Sequence, residues 1–339
     1  MHDLLRRLCA VPGVSGREAP VADVIRQEIG SAVECRTDPM GNLIVFRQGA
    51  ARPKHRVMFC AHMDEVGLMV TYLTDEGLLR FSPVGDVDPR AVLGRRVRLS
   101  RGGVPGVIAT KAIHLQSAEE RKTVPDFDAL YLDIGAASKE EAAQYARPGD
   151  TVCFDSDFTE FGEGMLKARA LDDRAGCAVL VDLIRSELPY DCWFAFTVQS
   201  EVGRRGARVA AFAVKPDMAV AVGAAEAADI PFVEKEQAIC RLGGGPAVSF
   251  MDRSALYDRE LFERIRHAAG EKDIPCQLRQ DVRGGSDAGA VQSVVGGTRV
   301  AAVSVPCRYI HSPCCVMRAE DLEHTERLAR ELAAVFPVL

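Results

Sequence analysis

Four short apolar runs, each ending abruptly in polar residues, constrain this chain more than any other feature. Val57-Met58-Phe59-Cys60-Ala61 runs into His62, and Trp193-Phe194-Ala195-Phe196-Thr197-Val198 runs into Gln199-Ser200-Glu201. Met218-Ala219-Val220-Ala221-Val222 stops at Gly223, and Val300-Ala301-Ala302-Val303-Ser304-Val305 leads toward His311. Runs this short, β-rich and apolar on both faces predict buried parallel strands, which need crossover helices between them. The intervening segments supply these. Residues 174–188 carry Cys177, Leu180, Val181 and Ile184 at helical spacing, and 260–269 and 319–336 are amphipathic. The last opens with Glu320-Asp321, where a helix dipole favours acids. The reading is an α/β fold, a mainly parallel central sheet flanked by helices.

Between about Thr71 and Phe161 the texture changes. Short β-rich pieces (Leu78 to Phe81, Val97 to Leu99, Val107 to Ala109) alternate with Gly and Pro turns, with little helical periodicity. This predicts an inserted β-barrel-like domain over 71–161. The α/β domain is then discontinuous, built from 1–70 and 162–339.

Composition narrows the function classes. The chain has 339 residues, 47% apolar and 27% charged, the mix of a globular enzyme with one large domain or two. Net charge is -6 and the 42 basic residues are scattered rather than striped, which argues against a nucleic-acid partner. No apolar run approaches the length of about 18 residues that a membrane span needs. Charges at Asp3, Arg6 and Arg7 stand where a signal peptide would place its apolar segment. Eleven cysteines, mostly inside apolar runs, read as buried free thiols in a reducing compartment, so a cytoplasmic location is expected.

In an open parallel sheet, ligands gather beyond the carboxyl ends of the strands. This chain sets His62, Glu201 and His311 there, with Asp172 opening a helical segment. Each alone is an ordinary rim residue or helix cap. Together they form an imidazole–carboxylate set of the kind that binds catalytic Zn or Co. Asp287, in the tight Gly284–Gly289 loop, is a second candidate for the cleft, and Glu226 reads as a solvent-facing residue. Gly243-Gly244-Gly245-Pro246 lacks the Lys-Ser/Thr of a phosphate loop and reads as a turn near the site's floor. Cys314-Cys315 read as core packing, and His114, in the insert, has no evident chemistry.

The ordered motifs resemble the glutamyl-aminopeptidase and tetrahedral-aminopeptidase family of co-catalytic metallopeptidases, some of whose members carry a glucanase label. They are Gly13-Val14-Ser15-Gly16-Arg17-Glu18, Asp38-Pro39-Met40-Gly41-Asn42-Leu43, Ala61-His62-Met63-Asp64-Glu65-Val66-Gly67 and Gly85-Asp86-Val87-Asp88-Pro89-Arg90. Leu171-Asp172-Asp173-Arg174, Gly284-Gly285-Ser286-Asp287-Ala288-Gly289 and Arg308-Tyr309-Ile310-His311 complete the set. The resemblance implies a Zn or Co exopeptidase removing N-terminal residues from peptides, with a dimerisation insert and assembly ranging from dimer to dodecamer. It implies His62 on one metal, Asp172 bridging, Glu201 and His311 on the second, and Asp64 orienting the His62 ring. A two-metal site of this kind sets its ions about 3.5–4 Å apart.

Two positions depart from the family pattern. Ser200 stands where the resemblance implies a glutamate general base, and Gly223 where it implies a metal-binding aspartate. One ion, held by Asp172, Glu201 and His311, is therefore expected in preference to two. Three readings follow: a mononuclear hydrolase of altered chemistry, a slow ordinary aminopeptidase, or a catalytically silent paralogue keeping fold, assembly and peptide binding. A glycosidase is disfavoured, since that chemistry needs a spaced carboxylate pair rather than histidine ligands.

Overall fold

The four apolar runs lie side by side at the centre of one sheet. The structure, a computed structural model, describes residues 1–234, 237–280, 282–294 and 296–339. Strands β1 (Glu34–Thr37), β2 (Leu43–Arg47) and β3 (Val57–His62) are followed by six that make a separate unit. These are β4 (Gly67–Leu73), β5 (Leu79–Val84), β6 (Arg96–Leu99), β7 (Pro105–Thr110), β8 (Leu130–Asp133) and β9 (Thr151–Phe154). Then come β10 (Thr159–Phe161), β11 (Met165–Ala168), β12 (Cys192–Thr197) and β13 (Met218–Glu226). The last are β14 (Ala247–Val248), β15 (Gln277–Leu278), β16 (Arg299–Arg308) and β17 (Cys315–Arg318).

The large sheet runs β1-β2-β12-β3-β13-β16-β17-β11-β10. Its middle, β12-β3-β13-β16, is parallel throughout, and these are the strands of the four runs. Both margins are antiparallel, so the sheet as a whole is mixed. The alternation along β3 explains why its whole sequence is apolar. Val57, Phe59 and Ala61 face one core, shared with helices 2–10, 19–29, 171–185, 259–271 and 319–335. Met58 and Cys60 face a second core, closed by helices 205–214 and 287–292. The helix Leu171–Arg185 begins three residues before the sequence reading set it and is buried on almost every side.

Strands β4 to β9 close a separate barrel, in the order β4-β5-β8-β7-β6-β9. The β4–β9 pairing, Leu68 with Val152, shuts it, and Leu68, Val70, Val97, Ile108, Leu132 and Val152 fill it. The barrel is not wholly β. A helix over Lys139–Tyr145, capped by the Ser138 side chain, packs against it. Gly243 and Gly245 do form a turn with positive φ, but their amides bond Asp321 (2.7 and 2.8 Å) and neither lines the main cleft. The buried Asp321 carboxylate at the start of the helix Ala319–Val335 thus fixes that turn. No helix among the described residues is long and apolar enough to cross a membrane.

Candidate metal centre

Parallel register brings the strand ends together. His62, the last residue of β3, pairs with Thr197, the last of β12, so Ser200 and Glu201 emerge beside it. Gly223 lies in β13, three residues from its end, and the loop after β16 carries His311. A cleft of about 1150 Å³ opens over these ends, lined among others by His62, Asp172, Ser200, Glu201, Gly223 and His311.

Within it, ligand atoms of His62, Asp172 and Glu201 all lie within 4.8 Å of one another, a group that could hold a metal ion. His62 Nε2 is 3.4 Å from Asp172 Oδ1, while His311 Nε2 is 3.7 Å from Asp172 Oδ2 and 3.3 Å from Glu201 Oε2. The tight triad thus joins His62, expected on the first metal, to Glu201, expected on the second. Burial pushes the Glu201 carboxyl well above its ordinary range, and the neighbouring charges of Asp172, Asp64 and Asp287 add to the rise. Asp173 is pushed up in the same way, by burial and then by Asp172 against the opposing charge of His62. His62 is held well above the usual imidazole range. Burial opposes this, but hydrogen bonds to Asp172 and Asp64 and the charge of Asp173 outweigh it. Carboxylates concentrated in a buried place, with imidazoles facing them, fit a divalent cation.

The ligands are held by a tier of further contacts. Asp64, fully buried, faces His62 Nδ1 at 3.4 Å and accepts from Ser15 Oγ (2.6 Å), Ser200 N (2.9 Å) and Glu201 N (3.0 Å). Its carboxyl is pulled below the ordinary range, since the His62, Ser15 and Ser200 bonds overcome the cost of burial. Asp173 accepts the His62 amide at 3.0 Å. Below them Glu65 binds Arg169 and accepts the Gly13 amide at 2.8 Å. Arg174 donates to the carbonyls of Met63 (2.9 Å), Leu8 (2.5 Å) and Val11 (3.1 Å). Gly13 is required there: a Cβ would stand 2.6 Å from Arg174 Nη2 and 2.7 Å from Val21.

Sequence reasoning named His62, Asp64, Asp172, Ser200, Glu201 and His311, and the structure brings all six together. It left Asp287 open; this residue lines the cleft and accepts the Ser200 hydroxyl at 2.7 Å. Glu226 also lines the cleft, exposed at the end of β13. Gly223 has room: a Cβ there would meet nothing nearer than Asp173 Oδ2 at 3.9 Å. His114 sits in an exposed turn, Cys315 is buried in the main core, and Cys314 Sγ meets Ser156 Oγ at 3.3 Å. Asp173, Glu65, Arg169 and Arg174 were missed as parts of the site. The adjacency of Asp173 and Arg174 to Asp172, and of Glu65 to Asp64, was the available signal.

The site has relatives. The family model described as M42 glutamyl aminopeptidase matches residues 41–328. The lysyl aminopeptidase of Pyrococcus furiosus is 32% identical over 346 residues, covering 97% of this chain and 96% of its own. The TET aminopeptidase of a marine-sediment thaumarchaeon superposes with a TM-score of 0.94 at 33% identity, covering 98% and 95% of the two chains. The TET1 peptidase of Pyrococcus horikoshii, described as assembling into a tetrahedron or a large octahedral shell, superposes at 0.87 with 36% identity and 98% of each chain covered.

Proposed function

Because this chain belongs to the M42 glutamyl aminopeptidase family, we propose that it is a metal-dependent aminopeptidase of weak or altered activity, acting on the N-termini of peptides. The observation that carries this is the convergence of His62, Asp172 and Glu201 within one large cleft, with His311 alongside. These four side chains would hold one Zn or Co ion in preference to two, since Gly223 offers no donor. When bound, such an ion supplies carbonyl polarisation and makes water more acidic.

The chain's own residues do the rest. Asp64 fixes the His62 ring and, through the Ser200 and Glu201 amides, the turn after β12. The excess of carboxylates suits the ammonium group of a peptide N-terminus. Ser200 cannot take a proton as a carboxylate would, and a missing general base costs about 10²–10⁴ in rate. Ser200 and Gly223 also favour a second reading, a silent paralogue that binds peptides without cleaving them. The exposed Ile113, Leu115 and Val124 of the insert support its use as the contact between copies, in an assembly from dimer to dodecamer. The eleven free thiols suit a reducing, cytoplasmic setting.

The test is hydrolysis of a panel of aminoacyl p-nitroanilides by protein loaded with Zn or Co, with metal content per subunit measured in parallel. Turnover lost to a chelator and restored by one ion per subunit supports the enzyme reading. Metal binding without turnover selects the silent one, and no metal binding sinks both the site and the mechanism.

A further inference from the structure

Asp287 is 5% exposed and lines the cleft. Its two oxygens are taken by hydroxyls: Thr197 Oγ1 donates to Oδ2 at 2.5 Å and Ser200 Oγ donates to Oδ1 at 2.7 Å. Thr197 is fully buried in β12, so Asp287 is gripped from the sheet and cannot turn without breaking that bond. A hydroxyl has one proton and two lone pairs, and a carboxylate oxygen only accepts. The Ser200 proton is therefore committed to Asp287. What Ser200 shows to the cleft is an oxygen that can only receive a hydrogen bond.

We propose that Asp287 is a positioning residue, which fixes the Ser200 hydroxyl as an acceptor for the attacking water. The inference rests on the hydrolase reading above. Ser200 takes no proton in this arrangement. It aligns an O–H of the water, and Asp287 prevents the serine from turning its own proton into the cleft. A purely structural Asp287, capping the turn after β12, would affect folding without regard to what stands at position 200.

Metal-loaded variants separate the cases. Ser200→Ala and Asp287→Ala should each lower kcat about tenfold to a hundredfold, the scale of a misplaced reactant, with KM near that of the parent. The double variant should be no slower than either single one. Asp287→Asn should recover most of the loss. Its amide oxygen still accepts from Ser200, while its NH₂ meets Thr197, whose own proton has the Ala61 carbonyl at 3.3 Å. An Asn variant as slow as the Ala variant, a double variant slowed by the product of the two, or a change confined to KM would each overturn the proposal. If the parent turns over no reporter, the hydrolase reading fails by itself. Asp287 is then judged by calorimetric binding of a peptide amide whose α-hydroxyl stands in the place of the water. Weaker binding by both Ala variants with recovery by Asn supports the proposal, and equal binding by all overturns it.

Discussion

Two buried charge clusters lie next to each other along residues 62–65, and they are built to opposite rules. Glu65 meets Arg169 and Arg174, all three no more than 5% exposed. The carbonyls of Leu8, Ala10, Val11 and Met63 accept from the guanidinium groups, while Arg174 Nη2 stands 3.6 Å from Glu65 without a hydrogen bond among the described residues. Burial works against the Arg169 charge, yet Glu65 raises its pKa above the usual guanidinium range. That cluster sets one carboxylate against two guanidinium groups, so each of its charges has an opposite neighbour within the protein. The cluster above it gathers Asp64, Asp172, Asp173, Glu201 and Asp287 around His62 and His311, and Glu201 and Asp173 are pushed up toward the protonated form. One cluster pairs its charges within the protein, and the other is short of positive charge. The difference teaches which buried polar groups hold the fold and which wait for a ligand.

Metal removal should have the largest effect on the upper cluster. Chelation should reduce any turnover to background while leaving the lower cluster and the fold intact, as read by activity and circular dichroism on one sample. Fold loss on chelation would show that both clusters depend on the ion. Next in size is repair of the upper cluster: Ser200→Glu with Gly223→Asp should raise turnover by about 10²–10⁴, the worth of a general base. No gain in a well-folded, metal-loaded double variant would mean that the two positions do not limit the rate.

Breaking the lower cluster tests the other side. Glu65→Gln leaves two buried guanidinium groups without a counter-charge and should cost about 3–5 kcal/mol in denaturant unfolding. A loss under about 0.5 kcal/mol, the scale of ordinary surface changes, would remove its structural role. The smallest effect is expected for Glu201→Gln in metal-free protein. Removing one of several crowded carboxyl groups should leave the melting temperature unchanged or slightly raised, whereas the metal-loaded protein should lose stability. A fall in the metal-free protein would show that the upper cluster, too, is held together by its internal pairs.

How far the sequence shows these things depends on how local each cause is. The four parallel strands were legible because both faces of each are buried, so an apolar run is unavoidable. The antiparallel margins were not. β1 reads Glu-Cys-Arg-Thr and β10 reads Thr-Glu-Phe, edge strands with no burial pattern to announce them. His62, Glu201 and His311 were legible because His62 closes β3 and the other two follow shortly after β12 and β16, and all three line the cleft. Arg174 was hidden because its partners are backbone carbonyls at 8, 11 and 63, groups every residue owns. Asp287 stayed open because its meaning comes from Ser200 and Thr197, roughly ninety residues earlier.

The closure of the barrel reaches beyond the single molecule. A sheet with free edges offers unpaired amides and carbonyls to any chain that drifts by, and crowded proteins aggregate through them. β4 to β9 have no such edge, since Leu68 and Val152 complete the ring. The surface that carries the exposed Ile113 and Leu115 thus adjoins a sheet with no free edge. No contact made there can extend the barrel's sheet by a strand, because each of its six strands already has a neighbour on both sides.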